Sequence, residues 1–278
     1  MARGGAAPGA DWRVVLRGDK RLTPAVAGEG RVLRVVAGVA DLRAAPRADR
    51  GLDTQLLHGE SFRVLETREG WAYGQSVRDD YVGYASEDAL SEAPTPTHVV
   101  VALRTLVFPE PDIKVTPSLI LSMNAQLAVS SEEGRFARLA GGGFVPLSHI
   151  APLGATAPDF AGTAEKFLGL PYWWGGRSSA GLDCSGLVEM ALERAGIDAP
   201  RDTDMQEKTI GREVAPGAPL QRGDLVFWKG HVGLMLDTAR FIHANAHHMA
   251  VTIEPFSQAR ERIAAAGFAV TSVKRLGV

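Results

Sequence analysis

Cysteine is nearly absent from this chain of 278 residues, which contains Cys184 alone. A single cysteine excludes an internal disulfide and fits a reducing compartment. The chain also lacks any uninterrupted apolar run of about 18 residues, so we expect no membrane-spanning helix. Its first residues contain no apolar stretch with the length of a signal-peptide core, and we therefore expect a cytoplasmic protein.

A marked excess of charge of either sign is missing as well. The 30 basic and 32 acidic residues give a formal net charge of −2, which leaves no electrostatic footprint for nucleic acid or an anionic membrane. We therefore expect neither as a partner. Hydrophobic residues make up 45% of the chain and charged residues 22%, which is typical of a globular protein and excludes a disordered or fibrous one.

Short strand-like runs separated by turn residues fill the first half of the chain. They begin with VLRVV, SFRVLE, WAYGQS and YVGYA, and the same plan repeats after the proline-containing stretch SEAPTPTH. Each repeat contains a Glu-Gly turn, at Glu69-Gly70 and at Glu133-Gly134. Two such units predict two small β-barrels in tandem, each of about five short strands. A single β-sandwich over residues 31–153 is the alternative.

The pattern changes near residue 155 to helices followed by strands. The segment DFAGTAEKFLGL has helical periodicity, a second amphipathic helix follows Gly181, and several short apolar strands come after it. This order is typical of an α+β domain. The predicted domains are an N-terminal arm (1–30), a first barrel (31–93), a second barrel (97–154) and the α+β domain (155–278).

Cys184 stands where the second of these helices begins. Apolar residues at Cys184, Leu187, Val188 and Ala191 follow the spacing of one helix face, so the cysteine opens the helix. The unpaired N–H groups and the dipole of a first turn stabilise an anion, and we therefore expect a lowered thiol pKa and a nucleophile. A buried structural cysteine is the alternative.

A thiol nucleophile needs a base, and the base needs a third polar group to orient it. His231 begins an apolar strand after Gly230, and His243 lies in the next strand, so antiparallel pairing can bring the two rings together. His243, His247 and His248 also suggest a metal site, since histidines four apart share a helix face. FIHANA predicts a strand instead, so we expect no metal and no cofactor.

These residues lie in segments that resemble the NlpC family of papain-like cysteine peptidases. The resemblance is carried by PYWWGGRSSAGLDCSGLVEMALERAGIDAPRDTDMQ, PLQRGDLVFWKGHVGLML and FIHANAHHMAVTIEPF. It implies a papain-like catalytic domain over 155–278, and the two barrels resemble bacterial SH3-type domains. It also implies that Cys184 attacks, that His231 moves the thiol proton to the leaving amine, and that His243 holds the His231 ring. The hydroxyl of Tyr172 is implied to face the cysteine.

The resemblance also assigns residues that bind the substrate. In relatives with an N-terminal SH3-like domain, the residues flanking the cysteine bind a free α-amino group, and these are Asp183 and Ser185 here. A carboxylate beside the thiol raises its pKa, so Asp183 must point elsewhere; a helix-terminal charge is the alternative role. Thr203 and Asp202 match the family's loop at the edge of the cleft.

The first barrel is implied to contribute an acid and a tyrosine, for which Asp53 and Tyr81 are the candidates. Tyr84 is an alternative for the tyrosine, and an ordinary buried aromatic is an alternative role for Tyr81. The implied activity is hydrolysis of the γ-D-glutamyl-L-diamino acid bond in a murein tri- or tetrapeptide with a free N-terminal L-Ala, during peptidoglycan recycling. A papain-like acyl or amide transferase and a non-catalytic murein-peptide-binding protein remain open.

Overall fold

The computed structural model describes residues 30–277, so the predicted arm over 1–30 lies outside the described residues apart from its last position. The chain divides into two compact units, with the boundary between Ala155 and Thr156. The domain bounds expected from the sequence stay predictions. Among the described residues, no helix is long and apolar enough to cross a membrane.

The N-terminal part of the first unit is one antiparallel sheet of seven strands, in the order β3-β2-β6-β5-β4-β1-β7. Glu69 and Gly70 both have positive φ, 53° and 77°, as a two-residue hairpin turn between neighbouring strands requires. The strands are β1 (Arg31–Val35), β2 (Val39–Arg43), β3 (Leu52–Leu57), β4 (Ser61–Arg68), β5 (Trp71–Ser76), β6 (Val82–Ser86) and β7 (Leu90–Ser91), with a 3₁₀ turn at Glu87–Ala89.

The rest of the first unit consists of three small sheets, ordered β10-β9, β11-β8-β15 and β12-β13-β14. Its strands are β8 (His98–Val100), β9 (Arg104–Val107), β10 (Leu119–Ser122), β11 (Gln126–Leu127), β12 (Val129–Glu133), β13 (Phe136–Leu139), β14 (Phe144–Pro146) and β15 (Ile150–Pro152), with a 3₁₀ turn at Leu147–His149. The count of about five strands per repeat was too low, because sharp bends such as Asn124, with φ 68°, divide the longer runs. Among the described strands, none of these pairs with the seven-stranded sheet.

The second unit packs helices against a six-stranded antiparallel sheet, ordered β18-β23-β19-β20-β21-β22, beside the small ladder β16-β17. The strands are β16 (Arg177–Ser178), β17 (Gly181–Leu182), β18 (Arg212–Glu213), β19 (Leu225–Trp228), β20 (His231–Met235), β21 (Arg240–Asn245), β22 (Ala250–Pro255) and β23 (Val270–Arg275). The helices are α1 (Phe160–Glu165), α2 (Cys184–Arg194), α3 (Thr203–Thr209) and α4 (Phe256–Ala265).

Helix α2 is the centre of this unit and lies against β20 and β21. Nearly all of its residues are buried, so its apolar spacing was a sound basis for predicting it. Helix α1 is shorter than expected, because it ends at Glu165. It begins after Asp159, whose side chain accepts the N–H of Gly162. Helix α3 was missed because its sequence, TDMQEKT, is mostly polar and shows no apolar periodicity.

Candidate active site

Cys184 is the first residue of α2, and Asp183 is the N-cap. A carboxylate oxygen of Asp183 accepts the N–H of Gly186 at 2.8 Å, so the local sequence DCSG folds as a capped helix start. Only 7% of Cys184 is exposed. The N–H groups of a first helical turn have no partner within the helix, so this position offers donors beside the sulfur.

The Cys184 sulfur lies against the strand that contains His231. Its Sγ is 3.9 Å from the carbonyl oxygen of Gly230 and 3.7 Å from the Thr203 hydroxyl. Burial, and next the Asp183 carboxylate, raise the pKa of Cys184 to about 11, although hydrogen bonds from Thr203 and the Val232 backbone lower it. The expectation of a lowered thiol pKa was therefore wrong. Desolvation of the thiolate outweighs the favourable helix terminus, so the resting group is a thiol.

Asp183 forms an ion pair with Arg201, a fully buried residue whose role the sequence left open. The guanidinium donates to both carboxylate oxygens, at 2.9 and 2.7 Å, and to the Ser185 hydroxyl at 2.8 Å. Gly175 N–H and the Ser185 hydroxyl also donate to the carboxylate, at 2.8 and 3.3 Å. The geometry thus directs Asp183 toward Arg201. The Ser185 contact is the longest of these bonds.

A further pair of buried charges extends this network and was missed in the sequence. Glu189 and Arg177 are fully buried, and Arg177 Nε donates to Glu189 Oε1 at 3.0 Å. The other oxygen of Glu189 is 3.7 Å from Arg201 Nε. A glutamate inside the apolar run LVEMAL was the available signal, since an unpaired charge is rarely buried. The network joins the middle of α2 to the residues around its N-terminus.

The structure brings the rings of His231 and His243 together. His231 begins β20 and His243 lies in the adjacent antiparallel strand β21; His231 Nε2 and His243 Nδ1 are 2.8 Å apart. Gly233 makes this approach possible, because a Cβ there would lie 2.7 Å from the His243 Cβ and would also collide with Phe241. The glycine of the HVG sequence is therefore part of the site.

The pKa values of both histidines lie below the ordinary value of 6.5. Burial, then His243 and Arg262, lower the pKa of His231 to about 3, against a smaller raising effect of Glu254. Burial also lowers the pKa of His243, which the Glu254 hydrogen bond partly offsets. The indole of Trp228 packs beside the His231 ring, with centroids 5.7 Å apart. The raised pKa of the thiol and the lowered pKa of His231 favour a neutral thiol and a neutral imidazole at rest.

Behind His243 lie two residues that the sequence did not single out. Glu254 in β22 faces His243, with Oε1 2.7 Å from Nε2. Arg262 in α4 donates to both oxygens of Glu254, each at 2.6 Å. The alternation of the strand VTIEP gave no sign of this contact, because the pairing of β21 with β22 is not readable from one sequence.

Three other candidates interact with the cysteine or with Arg201. Tyr172 is half-buried, and burial, with the charges of Cys184 and Asp183, raises its pKa to about 12, so its hydroxyl stays protonated. Thr203 contacts the sulfur directly. Asp202 is the residue before α3 and interacts electrostatically with Arg201. Thr203 thus places a hydroxyl beside the thiol, and Tyr172 interacts with the thiol electrostatically.

The barrel candidates lie in the other compact unit. Asp53 is half-buried on β3, and only 3% of Tyr81 is exposed. Tyr84 is also buried and packs on Tyr73, with ring centroids 4.7 Å apart. Their assignment to substrate binding stays a prediction from the family resemblance.

A group of three candidate metal ligands and a cavity adjoin the histidine pair. Ligand atoms of His243, His248 and Glu254 lie within 4.8 Å of one another, but both ring nitrogens of His243 already have hydrogen-bond partners. A metal there would have to break the pair with His231, and the expected absence of a metal stays a prediction. A cavity of about 230 Å³ is lined by both histidines together with Trp228, Lys229, Arg262 and Phe268.

Comparison with known proteins places this site in a family. Residues 169–264 match the NlpC/P60 family, and residues 42–90 match the bacterial dipeptidyl-peptidase Sh3 domain. The fold and the site define a papain-like cysteine peptidase that follows an SH3-like domain. The chain belongs to the NlpC/P60 family, which confirms the resemblance, the α+β fold class and the prediction of a cysteine peptidase.

Individual relatives resemble the chain over most of its length. It is 31% identical over 231 residues to the Gamma-D-glutamyl-L-lysine dipeptidyl-peptidase of Bacillus subtilis, covering 73% of this chain and 76% of the relative. It is 29% identical to Dipeptidyl-peptidase 6 of Lysinibacillus sphaericus, covering 76% of this chain and 86% of that protein. A crystal structure of an NlpC/P60 family protein from Bacillus cereus covers 88% of this chain and 99% of its own, with TM-score 0.74 and 22% identity, and so shares the fold.

Proposed function

We propose that this cysteine peptidase hydrolyses the γ-D-glutamyl-L-diamino acid bond of murein tri- or tetrapeptides with a free N-terminal L-Ala. The observation that carries the proposal is the sulfur of Cys184, placed at the start of α2 and against the backbone on both sides of His231. The substrate is suggested by the names of relatives that span most of the chain. We extend the proposal to a cytoplasmic role in peptidoglycan recycling.

In the first step the sulfur of Cys184 attacks the γ-carbonyl carbon of D-Glu. Since the resting group is a thiol, its proton passes to neutral His231 as the carbon–sulfur bond forms. The imidazolium then gives this proton to the amine of the diamino acid as the carbon–nitrogen bond breaks. The product is a thioester on Cys184 and a free amine.

The charge on the carbonyl oxygen in this step needs hydrogen-bond donors. The N–H of Cys184 lies in the first turn of α2, and the protonated hydroxyl of Tyr172 is a second donor near the sulfur. In the second step a water molecule gives a proton to His231 and attacks the thioester. His231 returns the proton to the sulfur, which restores the thiol and releases L-Ala-γ-D-Glu.

Two regions of the catalytic unit suit the two ends of the substrate. Asp183 and Ser185 are proposed to hold the α-amino group, which would replace the long 3.3 Å hydrogen bond between them. The cavity beside His231 is proposed to hold the diamino acid. Its exposed Lys229 and the partly exposed Arg262 are suited to a carboxylate of that residue.

Mass analysis of peptide mixtures tests the proposal. L-Ala-γ-D-Glu-meso-diaminopimelate, its L-Lys counterpart and N-acetylated copies of both are incubated with wild type and with Cys184→Ala. We expect release of L-Ala-γ-D-Glu by wild type from the free-amine peptides alone. Equal cleavage of acetylated copies would overturn the requirement for a free amine, and cleavage by Cys184→Ala would overturn the thiol mechanism.

The alternative activities give different products in the same mixtures. A papain-like transferase would pass the acyl group to an added amine acceptor and leave water unreacted, so a new amide would appear in place of the free dipeptide. A binding protein would retain intact peptide. The match to a peptidase family disfavours the binding protein.

A further inference from the structure

The histidine pair continues into a charged group that nothing in the sequence motifs predicts. His243 Nε2 lies 2.7 Å from Glu254 Oε1, and Arg262 holds both oxygens of Glu254 at 2.6 Å. His243 is 1% exposed, and the Glu254 side chain 9%. Hydrogen bonds between side chains thus run from His231 in β20 through His243 in β21 and Glu254 in β22 to Arg262 in α4.

The positions of the protons on His243 and His231 follow from the Glu254 carboxylate. A carboxylate paired with a guanidinium accepts hydrogen bonds and cannot donate one, so the proton of His243 must lie on Nε2. The other nitrogen, Nδ1, is then an acceptor, and it lies 2.8 Å from His231 Nε2. The proton of His231 therefore lies on Nε2, which leaves its Nδ1 with a free electron pair.

We propose that Glu254, held in place by Arg262, is a positioning residue that fixes the tautomers of His243 and His231 and so makes Nδ1 of His231 the base for Cys184. The inference rests on the proposed function for the catalytic roles of His231 and Cys184. Glu254 also supplies the negative charge that His243, as the third member of the triad, lacks. That charge is two rings away from the thiol and is balanced by Arg262.

The two charges act on the histidines in opposite directions. His231 faces His243, Glu254 and Arg262, with Cys184 beside its strand; Glu254 raises the pKa of His231 and Arg262 lowers it. His243 experiences the same two influences and, in addition, a lowering effect of His248. Removal of Glu254 and removal of Arg262 should therefore shift the pKa of His231 in opposite directions, which a purely structural ion pair between β22 and α4 would not do.

The test compares Glu254→Gln with Arg262→Gln and uses Glu261→Gln, an exposed position of α4, as the matched control. The pH dependence of kcat/KM is measured on the free-amine tripeptide, because its acid limb reports the base of the free enzyme. Glu254→Gln should move this limb to lower pH and Arg262→Gln to higher pH. We also expect Glu254→Gln to lower kcat about 10- to 100-fold with little change in KM.

A second readout needs no substrate. NMR of isotope-labelled histidine in wild type should show His243 and His231 both protonated on Nε2, and Glu254→Gln should give a mixture of tautomers, because an amide can donate as well as accept. If wild type fails to cleave the peptide, the proposed function fails and the NMR result still decides the tautomers. Shifts of both acid limbs in one direction, or wild-type histidines protonated on Nδ1, would overturn the inference.

Discussion

Gly233→Ala tests the packing that holds the histidine pair. The added Cβ would lie 2.7 Å from the His243 Cβ, whereas ordinary contact begins at 3.4 Å, so the two strands must separate by about 0.7 Å there. Movement of that size along the hydrogen bond lengthens the 2.8 Å distance between the rings to about 3.5 Å, beyond a normal hydrogen bond of roughly 2.7–3.2 Å. The His231 ring then loses its orientation.

We expect Gly233→Ala to lose about 10- to 100-fold in kcat/KM, the loss typical when a partner that orients a functional histidine is removed. Overpacking should also cost about 1–3 kcal/mol of unfolding free energy. Peptide hydrolysis is measured well below the melting temperature, and stability by urea unfolding. Gly141→Ala is the control, since a Cβ there meets no atom within 4 Å and its φ is not positive.

Full activity of Gly233→Ala would refute the claim that the 2.8 Å contact between the rings orients the base. A loss of activity equal to that of Gly141→Ala would refute it as well. A stability loss with normal kcat/KM would show that the strands separate without moving His231.

Three further predictions concern stability and the oxyanion. Arg201→Met leaves Asp183 buried without its partner and should cost about 3–5 kcal/mol in urea unfolding, whereas the exposed Arg222→Met should cost less than about 1 kcal/mol; equal losses would contradict the buried pair. Tyr172→Phe should lower kcat about 100- to 1000-fold and leave thiol alkylation unchanged, and an unaltered kcat would exclude the hydroxyl as a donor. Because burial lowers the pKa of His231 from 6.5 to about 3, the unfolded state binds its proton first as pH falls. Unfolding free energy should therefore fall below about pH 6.5 by at most about 1.4 kcal/mol per pH unit for this residue, and His231→Asn should show a shallower fall.

The sequence was sufficient for the parts of the site that obey local rules. The start of α2 at Cys184 follows from the apolar spacing after Gly181, and the strands that contain His231 and His243 follow from short apolar runs after turns. The turn at Glu69-Gly70 was predicted for the same reason. Each of these features is set by residues only a few positions apart.

The remaining features depend on contacts between distant segments. Arg201 meets Asp183 across 18 positions and His243 meets Glu254 across 11, and no local periodicity encodes such pairs. The thiol pKa was predicted in the wrong direction because it depends on burial by the whole fold, and a helix terminus is only one contribution to it. Buried charges such as Glu189 were the overlooked sign that partners had to exist.

The central claim is that Cys184 carries the acyl group of the substrate. Wild type is mixed with L-Ala-γ-D-Glu-L-Lys and its meso-diaminopimelate counterpart, quenched in acid during turnover, and examined as intact protein and as peptides by mass spectrometry. We predict an L-Ala-γ-D-Glu adduct on the peptide that contains Cys184, and no adduct with Cys184→Ala. Release of the dipeptide without any adduct on this cysteine, or an adduct on another residue, would contradict the account.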